Sequence, residues 1–195
     1  MSPFKPAVRA IVLSAALVLP AVIHAAPASA AGVTCPVVYW GSLPKVADAS
    51  GPTEAIFNVR TGRHTCYDRL VVDIDGSGPV GYDVRYVDHV YTEGRGSIVA
   101  LAGGAKIQIV VRAPNFDIDT GVITYTPIDQ AQSHNLTNVA GYRTFRQVAF
   151  GGSFEGQTTF GLGVRAKLPM RAFVLGGPGT GQRLVVDVAH HWGTV

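Results

Sequence analysis

The feature that most narrows the fold is the rhythm of the apolar residues. In Lys106-Ile107-Gln108-Ile109-Val110 and in Tyr82-Asp83-Val84-Arg85-Tyr86-Val87, polar and apolar side chains alternate. An extended chain then carries its apolar side chains on one face. Similar short runs recur between Gly-, Pro- and Asp-rich breaks, and no long stretch shows helical periodicity. This pattern predicts an all-β domain. Strands are expected near Ala55–Arg60, Arg69–Asp75, Val80–His89, Ile98–Leu101, Ala105–Arg112, Tyr142–Phe150, Phe154–Val164, Arg171–Leu175 and Arg183–Ala189. Gly151-Gly152-Ser153 reads as a hairpin turn. Residues 31–53 read as an irregular leader, and residues 115–141 as a connection longer than most loops.

One hexapeptide is written twice, as RLVVDI at 69–74 and RLVVDV at 183–188. In a strand, Leu70, Val72 and Ile74 share one face, and Arg69, Val71 and Asp73 the other. The second copy divides in the same way. If the copies pair antiparallel in register, Arg69 faces Asp187 and Asp73 faces Arg183, and the charges select the register. Placement in separate sheets would instead mean two similar half-domains.

The first thirty residues have the layout of a cleaved secretory signal. Lys5 and Arg9 precede an uncharged apolar run, and Ala28-Ser29-Ala30 supplies small residues for cleavage. The run is broken by Pro20 and is shorter than the roughly 20 residues needed to span a bilayer. Its removal takes two of the 16 basic residues and none of the 13 acidic ones, so the remainder is nearly neutral. A nucleic-acid partner is therefore not expected, nor a membrane span after cleavage. Two cysteines remain, Cys35 and Cys66, and in an exported chain they read most simply as one disulfide.

Most chemical motifs are absent. Gly176-Gly-Pro-Gly-Thr-Gly181 is followed by Gln182 and Arg183, where a phosphate-binding loop needs Lys and Ser or Thr. His190 and His191 are adjacent and point to opposite faces of an extended chain. His64, His89 and His134 are scattered, and Asp117-Ile-Asp119-Thr-Gly121 departs from a calcium loop. No G-x-S-x-G is present, and nothing selects Asp73, Asp75 or Glu155 as acid–base groups. No metal or cofactor is expected. The densest polar segment, 60–69, would present Arg60, Arg63, His64 and Tyr67 at one hairpin end. Arg forks and a stacking ring suit an anionic or sugar ligand; a solvated turn is the other reading.

The order of motifs V-R-T-G-R-H-x-x-Y-D-R-L-V-V-D-I (59–74), G-Y-D-V-R-Y-V (81–87), F-E-G-Q-T-T-F-G-L-G (154–163), R-A-F-V-L (171–175) and R-L-V-V-D-V (183–188) resembles the AMIN-like domain of secreted actinobacterial proteins. The likeness covers about residues 54–190. It implies a β-sandwich of two mainly antiparallel sheets as a single domain over residues 54–195. It also implies a secreted, non-catalytic module of the cell envelope, with peptidoglycan or another wall glycan or peptide as its partner. A protein partner in the envelope is the alternative, and a wall hydrolase the second alternative.

Overall fold

Burial alternates along Ala105–Val111 and runs nearly unbroken along Tyr67–Ile74, Gln157–Val164 and Gln182–Ala189, and the inward sides of these strands meet in one apolar cluster. The structure is a computed structural model that describes residues 35–49, 54–177 and 179–193. The expected signal segment, residues 1–30, lies outside the described residues.

Leu70, Val72 and Ile74 bury one face of β3 (Tyr67–Ile74), and Leu184, Val186 and Val188 bury the same face of β11 (Gln182–Ala189). These strands are neighbours in a four-stranded antiparallel sheet of order β10-β11-β3-β2, with β2 at Ile56–Arg63 and β10 at Met170–Gly176. The second sheet has five antiparallel strands, β1-β4-β7-β9-β8. These are β1 (Lys45–Ala47), β4 (Tyr82–Val87), β7 (Ala105–Val111), β8 (Phe145–Phe154) and β9 (Gln157–Val164). Its Val84, Ile107, Ile109, Phe145, Phe160 and Leu162 join the same cluster. Full burial of each such side chain is worth about 1.5–3 kcal/mol. Two stacked antiparallel sheets around one core make a β-sandwich. Tyr82 and Tyr86 of β4 donate their hydroxyls to the carbonyls of Ala172 and Leu168 at 3.0 and 2.8 Å. A two-residue pair, β5 (Val90–Tyr91) with β6 (Ile98–Val99), packs with Ala149 as a small satellite.

The two copies of the hexapeptide therefore lie side by side. Arg69 stands opposite Asp187 and Arg183 opposite Asp73. Separate half-domains are ruled out by this pairing.

Three expectations need correction. Gly151-Gly152-Ser153 is not the turn, because β8 continues through it to Phe154. Gly152, at φ +105°, sits at a register shift after Phe150, where an extra residue is absorbed as a bulge. The turn falls at Glu155 and Gly156, both at positive φ, as a two-residue hairpin with the twist of its strands requires. The leader is not wholly irregular, since Lys45–Ala47 pairs with β4 at the edge of the larger sheet. The 115–141 connection is also partly structured. Phe116 bridges Ile123, and Asp129 caps the short helix α1 (Gln130–His134) by accepting from Gln132 N at 2.8 Å. Tyr125, Leu136 and Val139 pack on the core.

Cys35 and Cys66 are bonded, with Cα atoms 5.4 Å apart. Reduction is expected to lower the unfolding free energy by about 3–4 kcal/mol, near what the closure of such a loop supplies. Amide exchange should rise first in residues 35–49, whose other anchors include β1 and the Met170 N–H to Gly41 carbonyl bond at 2.8 Å. An unfolding midpoint that is the same with and without reductant would contradict this.

Candidate functional site

The face of the four-stranded sheet turned away from the core carries most of the charge on these strands. Alternation sends Arg69, Val71 and Asp73 of β3 to that side, with Arg183, Val185 and Asp187 of β11 and Arg171, Phe173 and Leu175 of β10. Two rows of charge cross it.

In the first row, Asp187 lies between two arginines, with Arg69 opposite it on β3 and Arg171 opposite it on β10. Arg69 binds it with both arms of its fork, Nε to Oδ1 at 2.7 Å and Nη2 to Oδ2 at 2.9 Å. Arg171 Nε reaches Oδ2 at 2.8 Å. The Asp187 side chain is 0% exposed, although it is on the outer face. The guanidiniums cover it, and aromatic rings hold the guanidiniums. Arg171 Cζ is 4.2 Å from the Trp40 ring centre and 5.1 Å from that of Phe173, and Arg69 Cζ is 5.2 Å from that of Tyr67. The Asp187 hydrogen bonds raise the pKa of Arg69, with burial opposing them.

The second row differs from the sequence expectation. Arg183 stands opposite Asp73, but the two do not pair. Asp73 is taken from β2, by Arg60 through Nε at 2.8 Å and Nη2 at 2.9 Å and by Asn58 Nδ2 at 2.9 Å. A bidentate fork and an amide occupy both carboxylate oxygens. Arg183 instead gives Nη2 to the Gly176 carbonyl at 3.0 Å, and its buried Nε has no partner.

The four residues expected at one hairpin end are divided. Arg60 and His64 line a hollow of about 210 Å³ together with Arg69 and Arg183, over Val71 and Val185. Tyr67 belongs to the aromatic layer, where His64 stacks on it at 4.4 Å between ring centres. Arg63 lies over the Tyr142 ring, 5.9 Å from its centre, and is no part of the hollow. One side chain per two residues reaches a given face, so neighbours in sequence cannot all converge. Trp40, Arg171 and Phe173 were missed. The Arg-Ala-Phe alternation places Arg171 and Phe173 on one face, whereas Trp40 sits in a leader with no strand signal.

The larger hollow, about 690 Å³, runs along residues 135–146, but the Arg146 guanidinium there is spent on the carbonyls of Tyr142, Arg143 and Phe145. Asp117 makes a local turn instead of a cation site, since its Oδ1 accepts from Asp119 N and from Thr120 N and Oγ1. Among the described residues no group of three or more His, Cys, Asp or Glu is placed to hold a metal. No helix among them is long and apolar enough to cross a membrane.

Fold and face define a class, an all-β sandwich module with a layered arginine–aromatic surface. The chain belongs to the AMIN-like domain family, whose model matches residues 54–190. That family is one of extracytoplasmic binding and targeting modules, and membership in it suggests a cell-wall-associated module. The match begins beyond Trp40 and β1, so the disulfide-tethered segment lies outside the family region. No curated protein matches the chain.

Proposed function

We propose that the protein is a secreted, non-catalytic module of the cell envelope that binds peptidoglycan or another wall component through the outer face of its four-stranded sheet. The observation that carries this reading is the Arg60–Arg69–Arg183 hollow beside the partly buried ring of Tyr67, in a chain of the AMIN-like family. Guanidinium forks and stacked rings suit the carboxylates and sugar faces that wall polymers offer. Purified peptidoglycan in moderate salt should retain the protein in a sedimentation assay. Replacing Arg60 and His64 by Ala should release most of it, whereas Arg63→Ala, on the other side of β2, should not. Equal retention of all three proteins, or none by the wild type, would sink the reading. Labelled peptidoglycan should remain intact on incubation with the chain, in contrast to the outcome for a wall hydrolase.

A second reading, an envelope protein partner, has one observation in its favour. The 115–125 segment is tied to the Ile56 carbonyl and the Ser153 hydroxyl, and beside those anchors Phe57, Ile118, Val122, Ile123 and Phe154 are half or more exposed. Apolar exposure of this kind fits a protein contact better than a glycan. Cross-linking that recovers one protein and no glycan would favour it.

A further inference from the structure

We infer that the hollow bounded by Arg60, Arg69 and Arg183 is a binding site for a single carboxylate. Its chemistry stands on the geometry alone, and only the source of the carboxylate rests on the wall-binding reading.

The charge balance on this face is uneven. Asp73 is held by Arg60 and Asn58, and Asp187 by Arg69 and Arg171. Both carboxylates are thereby committed, and Arg183 has no counter-charge among the described residues. The register sets an aspartate directly opposite it, yet that aspartate is engaged on its other side. The Arg183 fork is only half used, with Nη2 on the Gly176 carbonyl and Nε without a partner. A small side-chain shift would therefore present the fork at the cost of one hydrogen bond. Arg60 and Arg69 each spend Nε and Nη2 on their aspartates, and Nη1 of both has no hydrogen-bond partner among the described residues.

The floor strengthens these donors. Val71 and Val185 are 5% and 1% exposed although they face away from the core. An ion above them sits against apolar surface, where charge-assisted hydrogen bonds gain relative to open water. His64, held by its stack on Tyr67, adds a further polar wall. Size and charge define the ligand. A space of about 210 Å³ is below the range of sites that enclose drug-sized molecules, so it takes one group and not a chain. Of the three arginines at the hollow only Arg183 has no carboxylate partner, so one planar fork is open, and a planar carboxylate can take it with two parallel bonds. The terminal carboxylate of a peptide and the carboxylate of a uronic acid share this chemistry.

The test is methyl NMR on the full chain, following Val71 and Val185 during titration with acetylalanine, acetylalanine amide, glucuronic acid and inorganic phosphate. Saturable shifts are expected from acetylalanine or glucuronic acid, and the tighter of the two identifies the source. The amide should leave both methyls unmoved. Arg183→Gln should weaken binding about tenfold, the effect of losing one charge-assisted contact. Arg183→Lys, which keeps the charge and loses the fork, serves if that variant does not fold. Equal shifts from the amide, phosphate binding as tightly as the carboxylates, or unchanged affinity in the Arg183 variants would each overturn the site. Carboxylate binding without retention on peptidoglycan would keep the site and end the wall reading. Retention without any carboxylate response would do the reverse.

Discussion

Replacing Asp187 by alanine is expected to lower the unfolding free energy by about 3–4 kcal/mol, although no core side chain is touched. Removing one partner of a buried ion pair costs roughly 3–5 kcal/mol, because the other charge is left without compensation. Here two guanidiniums would be left, those of Arg69 and Arg171. Their side chains are 22% and 38% exposed, so each can turn partly to water, which places the loss in the lower part of that range. Asp187 also determines where the arginines sit, and so where Trp40 and Phe173 sit. Loss of near-ultraviolet circular dichroism from Trp40 should therefore accompany the change. Asp73→Ala should cost only about 1 kcal/mol, since the Arg60 side chain is half exposed and can turn to water once its carboxylate is gone. Denaturant unfolding of the two variants checks the contrast. A loss below 1 kcal/mol for Asp187→Ala would show that the row is decorative.

The difference between the two aspartates bears on what could be read from the chain. The hexapeptides are identical in their first five residues, and alternation with opposite charges at each end makes their antiparallel pairing legible. Pairing of side chains is a different matter. Asp187 meets Arg69 because its other neighbour, Arg171, is also a donor and the carboxylate has room for both. Asp73 meets competition from β2, where Asn58 stands opposite and Arg60 reaches diagonally, and no pattern within β3 or β11 announces those neighbours. Strand order is a tertiary fact, and it decided which cation was left over. The elements that escaped notice share a cause. β1, β5 and α1 are two to five residues long, too short for a period to register. The Glu155-Gly156 turn was hidden by the more conspicuous glycine pair just before it, whose backbone freedom is spent on a bulge.

The largest effect is expected at Asp68, which the sequence places in the polar 60–69 segment just ahead of an expected strand, as a turn residue paired with an arginine. It is 1% exposed and joins the two sheets. Its Oδ2 accepts from Thr144 N at 2.6 Å, from the Thr144 hydroxyl and from Phe145 N at 3.3 Å, at the start of β8. Oδ1 lies 3.1 Å from His190 Nε2, and since a carboxylate can only accept, that nitrogen carries the proton. Asp68→Ala would leave two buried backbone N–H groups, a hydroxyl and an imidazole N–H without their acceptor, in a site closed to water. At about 1–3 kcal/mol for each such group, offset by local opening, the expected loss is about 4–5 kcal/mol. Burial by itself pushes the Asp68 carboxyl up, but the bonds from Thr144, His190 and Phe145 together outweigh it and hold the group below its ordinary value. A carboxyl lowered by folding contributes stability that is complete above its unfolded value, about 3.9, and is lost as pH falls through the folded one. Wild-type stability should therefore decline on acidification below about pH 4, and Asp68→Asn, which keeps the shape without the proton equilibrium, should decline less steeply. Unfolding followed between pH 2 and 6 in both proteins separates the clasp from mere packing. Parallel curves would mean that the carboxylate's charge contributes nothing to holding the sheets together.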